Sequence, residues 1–225
     1  MIIAIDGPAG SGKSSTARRV AEVLGFWYLD TGAMYRTVAL HFMRFENAPS
    51  EANVEEVLVS LDMAMSYEHG QLRVQLGGED VTAAIRTHDV SAMASKVAKL
   101  KSVRERLVQE QRLLAKAASA QGGGVVVEGR DIGTVVFPHA ERKFFFVADP
   151  VVRAQRRMLE LQAKGASPVL ESLVEDMKAR DKADREREHS PLLQADDAIV
   201  LDTTHLSLED QVNTIVDSVR QLVKE

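Results

Sequence analysis

The chain has 225 residues, 45% of them hydrophobic, enough for one sizeable core with a smaller appended unit. A net charge of -5 with 27% charged residues argues against a partner of nucleic-acid polymers that works by general basic charge. Cysteine is absent, which removes disulfides, thiolate metal sites and a cysteine nucleophile, and the six histidines show no zinc-type pairing.

The first residues, "MIIAID", read as a core strand and not as a signal peptide. No apolar run approaches the ~20 residues needed to span a bilayer. The expectation is therefore a cytoplasmic enzyme without a membrane partner. Directly after that strand comes "GPAGSGKSS", Gly7, Pro8, Ala9, Gly10, Ser11, Gly12, Lys13, Ser14 and Ser15. It fits G-x-x-x-x-G-K-[ST], in which a glycine-rich backbone wraps the phosphates of a nucleoside triphosphate. Lys13 is placed to reach the β and γ oxygens, Ser14 to offer its hydroxyl to Mg²⁺, and the helix that follows to add its positive end. Such a loop says that a triphosphate is held, not where its terminal phosphate goes.

Helical periodicity from Ser14 to Leu24 leads to a second apolar run, "FWYL" from Phe26, which ends at Asp30. "DTGAMYR" then places the Thr31 hydroxyl and the Arg36 guanidinium close together, a pair suited to cradling a phosphate. Read alone, Thr31 also fits a helix N-cap and Arg36 a solvated helix position.

From Asp62 to Ile85 the pattern alternates polar and apolar residues around "HG" and "GG" turns, which predicts a hairpin or small antiparallel sheet. A long amphipathic stretch, Ser91 to Ser119, follows without Pro or Gly, and "QGGG" at Gln121 to Gly124 returns the chain to a strand, "GVVV". "EGRD" follows at once. Glu128 suits a place behind Mg²⁺, Arg130 could face a phosphate and Asp131 a base or sugar. An internal Arg130–Asp131 pair is the alternative.

The runs "FFFV" from Phe144 and "AIVL" from Ala198 complete five, alternating with helical stretches, which predicts a five-stranded parallel sheet flanked by helices. The acids Asp149 and Asp202 after those runs read best as N-caps. After the fourth run, Arg153, Arg156 and Arg157 share one helix face, suited to a lid over a polyphosphate. Further on, Arg180, Asp184 and Arg187 make one stripe, and Asp181, Arg185 and Glu188 another of the same spacing. Periodicity does not choose between them, and a salt-bridged surface helix fits as well.

No Asn-Lys-x-Asp segment is present, against a GTPase. Arginines in cis at several strand ends favour transfer to a phosphorylated acceptor, which needs alignment and positive charge more than a general base. Another P-loop kinase and a nucleotide-dependent switch remain as competing readings.

Together, "GPAGSGKSS", "DTGAMYR", "EGRDIGTVVFP" and "RDKADRER", in this order and spacing, closely resemble the bacterial cytidylate kinases over essentially the whole chain. The resemblance implies a P-loop kinase core over residues 1–60 and 97–225, with a short helical lid at about 151–167. It also implies a β-rich monophosphate-binding insert over 61–96, continued by a long helix. Transfer of the γ-phosphoryl of ATP to CMP or dCMP with Mg²⁺ is the implied reaction, and, with nothing in the sequence pointing to a dimer, a monomer is the default expectation. The acceptor phosphate would meet Thr31, Arg36, Arg130 and Arg187, cytosine would be read by Ser95, Arg104 and Asp131, and the sugar by Arg180 and Asp184. Arg153 and Arg157 would help to neutralise the transferred group.

Overall fold

The structure is a computed structural model that describes residues 1–45, 49–68, 71–120, 122–163 and 165–222. In chain order its elements are β1 (Ile2–Asp6), α1 (Lys13–Leu24), β2 (Trp27–Asp30), α2 (Thr31–Arg44) and α3 (Val54–Val59). Then come β3 (Met63–Glu68), β4 (Gln71–Leu76), β5 (Glu79–Asp80), α4 (His88–Val97) and α5 (Lys101–Ala120). The last are β6 (Val125–Gly129), a π-helical turn (Ile132–Val136), β7 (Arg142–Val147), α6 (Pro150–Gln162), α7 (Leu170–Glu186), β8 (Ile199–Asp202) and α8 (Leu208–Leu222).

The chain divides into two compact units, Met1–Leu29 with Leu114–Glu225, and Asp30–Leu113. In the first, a five-stranded parallel sheet runs in the order β2-β6-β1-β7-β8, built from the five apolar runs seen in the sequence. β1 lies at the centre, with Ile3 against Val126 on one side and Ile5 against Phe144 on the other. All five residues of β6 are buried, as a strand covered on both faces requires. Helix α8 closes this core with Val212, Ile215, Val216 and Val219 on one face, packed against α1.

The second unit contains the antiparallel sheet β3-β4-β5 expected between Asp62 and Ile85. Its "GG" turn joins β4 to β5, and the "HG" turn lies outside the described residues. The unit is broader than 61–96 for a physical reason. A three-stranded sheet has one apolar face to cover, and α2 packs against β4 and α4 to do so, with Met34, Val38, Phe42, Val74 and Val97 fully buried.

One element differs from expectation. The stretch Ser91 to Ser119 is two helices, not one. α4 ends in a tightened turn, with the Lys99 and Leu100 N–H groups donating to the Lys96 and Val97 carbonyls. α5 then starts at Lys101, whose N–H donates to the Glu51 carboxylate 50 residues upstream at 2.8 Å. Among the described residues no helix is long and apolar enough to cross a membrane.

Candidate active site

The glycine-rich loop leaves β1 pressed against β7. Gly7 has φ of 146°, and a Cβ there would lie 2.5 Å from the Phe146 carbonyl oxygen, so any other residue would push the loop off the sheet. Lys13, on the first turn of α1, is only 5% exposed and donates from Nζ to the Pro8 carbonyl at 2.6 Å. Burial, and then the neighbouring Arg130 charge, lower its ammonium to about 7, against the opposing pull of Glu128, Asp6 and Asp184. An anion brought to Lys13 would restore its charge.

The Ser14 hydroxyl donates to Glu128 at 2.9 Å, and Glu128 also accepts from the Tyr28 hydroxyl. Ser14 therefore has its proton engaged and its lone pairs available. One neutral oxygen backed by a buried carboxylate suits a hard divalent cation that draws most of its ligands from phosphates and water. The residues present fit Mg²⁺.

Beyond β6, the two stripes of α7 meet different partners. Arg130 donates from Nε to Asp184 at 2.8 Å, and Arg187 lies 3.6 Å from Asp131. The stripe Arg180, Asp184 and Arg187 thus carries partners of the "EGRD" turn. Burial alone would raise the Asp184 carboxyl, but Arg130, followed by Arg180 and Arg187, holds it below the usual carboxylate range. One face of α7 thus turns toward the "EGRD" turn, while most of the helix stays exposed, with Met177 and Asp181 buried.

The other stripe faces elsewhere. Asp181 takes both oxygens to Arg153, at 3.1 and 2.6 Å, and Arg153 also donates to the Ala9 and Ala148 carbonyls. Arg153 is 2% exposed, so this pair pins α6 and α7 to the loop. Arg156 likewise donates to the Thr203 carbonyl at 2.6 Å, and the Thr203 hydroxyl donates to the Ser11 carbonyl. Arg157 is partly exposed and paired with Glu160 on its own helix. A cleft of about 410 Å³ lies alongside, lined by Pro8, Ala148, Arg153, Asp181, Lys182 and Arg185 among others.

In the unit Asp30–Leu113, Asp30 is the N-cap of α2, accepting from the Ala33 N–H at 2.8 Å, while Thr31 is buried as the first helical residue. Arg36 folds back to Asp30 at 3.2 Å, and its Nε is buried without a hydrogen-bond partner among the described residues. Gly32 makes this possible, since a Cβ there would come 3.0 Å from the Arg36 Nη1. Arg104, 3% exposed, sets its guanidinium 5.5 Å from the centre of the Tyr35 ring and donates to the Ala98 carbonyl. Ser95, on α4, donates to the Ser91 carbonyl at 3.5 Å. As expected, Asp149 caps α6 by accepting from the Val151 and Val152 N–H groups, whereas Asp202 closes a turn onto Thr204 and caps no helix.

Two residues escaped the sequence reading. Tyr35 sits beside Arg36 in a segment already singled out, and its ring was the available signal. Asp6, 5% exposed at the end of β1, accepts from the Ile132 N–H at 2.8 Å and the Gly133 N–H at 2.7 Å. Burial raises its carboxyl to about 6 against those two hydrogen bonds, with Asp131 adding to the rise and Lys13 opposing it. An acid ends this run as acids end the other four, which was the clue.

A phosphate loop between the central strand of a five-stranded parallel sheet and its helix, with arginine–carboxylate pairs at the next strand end, defines a P-loop protein built for phosphoryl transfer. A solved structure of an uncharacterised protein from Eubacterium ventriosum aligns over 98% of both chains with a TM-score of 0.52 and 15% identity, and supports the fold alone. The cytidylate kinase family model matches residues 3–221, and the chain belongs to that family. It is similar to cytidylate kinase of Salinibacter ruber, with 47% identity over 98% of this chain and 97% of the relative. To cytidylate kinase of Geobacter sulfurreducens it is 44% identical, over 100% of this chain and 93% of the relative.

Proposed function

We infer that the protein transfers the γ-phosphoryl group of ATP to CMP or dCMP, giving the nucleoside diphosphate and ADP. The near full-length similarity to cytidylate kinases carries this reading. The arrangement of the loop and of the arginines supports it.

In this reading Gly7–Ser15 holds the triphosphate, and the buried Lys13 ammonium gains its full charge against the β and γ oxygens. Mg²⁺, held by Ser14 with Glu128 behind it, would supply further neutralisation of the phosphates. Thr31, Arg36, Arg130 and Arg187 bind the acceptor phosphate, and the buried Arg36 Nε is a donor available for it. Arg180 and Asp184 take the sugar. Ser95, Arg104 and Asp131 read cytosine, whose exocyclic amine donates to a carboxylate while its N3 and O2 accept from an arginine. Uracil reverses the first match, a loss of about 1–3 kcal/mol. The β-rich segment 61–96 enlarges the monophosphate-binding region. Arg153 and Arg157 help to neutralise the transferred group from the lid at 151–167, with Arg153 also tied to the loop through the Ala9 carbonyl. The enzyme works as a cytoplasmic monomer, with no nucleic-acid polymer or membrane as partner.

Incubation with ATP, Mg²⁺ and CMP, followed by ³¹P NMR, tests the reaction. Equal amounts of CDP and ADP are expected. ADP with free phosphate and no CDP would instead mark a hydrolytic switch.

Gly32→Ala tests the acceptor side. A helical alanine is favoured over glycine by about 1 kcal/mol, so stability should hold or rise. The added methyl would nonetheless press on the Arg36–Asp30 pair. The expected result is a KM for CMP raised about threefold or more, at an unchanged KM for ATP. An unchanged KM for CMP would separate Arg36 from the acceptor.

A further inference from the structure

Asp6 is 5% exposed, and both of its carboxylate oxygens accept hydrogen bonds. One oxygen accepts from the Ile132 N–H and the other from the Gly133 N–H, the two donors that open the π-helical turn Ile132–Val136. Arg130 and Asp131 stand immediately before that turn. The turn is irregular, its Val136 and Phe137 N–H groups reaching back five residues to Asp131 and Ile132. Such turns leave their first N–H groups without intrahelical partners, and here a side chain from the adjacent strand supplies them. The other flank is set by Lys143, whose side chain passes 3.1 Å from where a Gly133 Cβ would sit and whose Nζ donates to the Pro138 carbonyl at 2.6 Å. The loop side of Asp6 is fixed separately, by Gly7 against Phe146.

We propose that Asp6 is a positioning residue for the acceptor nucleotide: its two backbone hydrogen bonds set the orientation in which Arg130 and Asp131 meet CMP. The proposal rests on the CMP kinase reading above and adds to it a residue that touches no substrate. A carboxylate can satisfy both N–H groups, whereas an amide presents one oxygen and turns an N–H toward the second donor.

Asp6→Asn is the test, read by separate KM values for CMP and ATP, the CMP-over-UMP ratio of kcat/KM, and the melting temperature. The expected result is a KM for CMP raised about tenfold and a CMP-over-UMP ratio lowered about fivefold, with the KM for ATP within about twofold. A variant with wild-type KM for CMP and wild-type selectivity overturns the proposal, whatever its melting temperature, because a merely structural tie would move stability alone. An equal rise in both KM values overturns it too, since Asp6 would then act through the donor loop. Should Asp6→Asn not fold, Gly133→Ala, which crowds the same turn from the Lys143 side, is read by the same criteria. A wild type that forms no CDP overturns the parent reading and this proposal together. A wild type that forms CDP beside an indifferent variant overturns this proposal only.

Discussion

Lys13→Met is expected to lower kcat by about 10³-fold or more while leaving the nucleotide-free protein at least as stable as wild type. The two halves have one cause. Lys13 carries a buried ammonium whose proton affinity is lowered to about 7, chiefly by desolvation and secondly by Arg130. Between about pH 7 and 10.5 the unfolded chain holds that proton and the folded one does not. Stability from this group therefore rises with pH across the window, and its full cost is present below it. Methionine removes the buried charge and keeps much of the volume, so the desolvation cost present below that window is removed with it. Each kcal/mol corresponds to about 2–4 °C in Tm for a chain of this size. Thermal unfolding of both proteins at pH 6.5 and pH 9 checks this, with the pH slope smaller in the variant. A large fall in Tm would show that the Lys13 bond to the Pro8 carbonyl holds the loop together, and that the charge is not kept there for a ligand.

Asp131→Ala should lower the preference for CMP over UMP by about tenfold or more, the worth of one well-made hydrogen bond to the exocyclic amine. Asp131→Asn should go further in kind, because its amide can donate to the uracil O4 while the cytosine amine loses its carboxylate. UMP should then gain relative to CMP. Steady-state kcat/KM for both nucleotides reads the result. If the preference is intact in both variants, Asp131 serves only to hold Arg187, which lies 3.6 Å from it.

Much of the fold was legible because the inner strands of the main sheet are buried and short, so "IIAI", "GVVV" and "FFFV" stand out as continuous apolar runs. The small sheet was legible for the opposite reason, its alternation of polar and apolar residues. What escaped depends on contacts far apart in sequence. The break between α4 and α5 carries no Pro or Gly, and the carboxylate that caps α5 comes from Glu51. The tie between the two α7 stripes could not be broken by spacing alone, since Asp184 and Asp181 become distinct only through Arg130 and Arg153. The bonds of Arg153 to Ala9, Ala148 and Asp181 likewise join residues far apart in sequence, and spacing within its own helix does not show them. The extent of the second unit followed from what the small sheet must be covered with, and α2 supplies that cover from outside the alternating segment.

The most direct test of the account is kcat/KM for CMP, UMP and AMP, each with saturating ATP and Mg²⁺, in an assay coupled to ADP formation. CMP is expected to exceed UMP by about tenfold or more, and AMP by at least as much. Comparable turnover of UMP or AMP, or ADP released at the same rate without any acceptor, would contradict it.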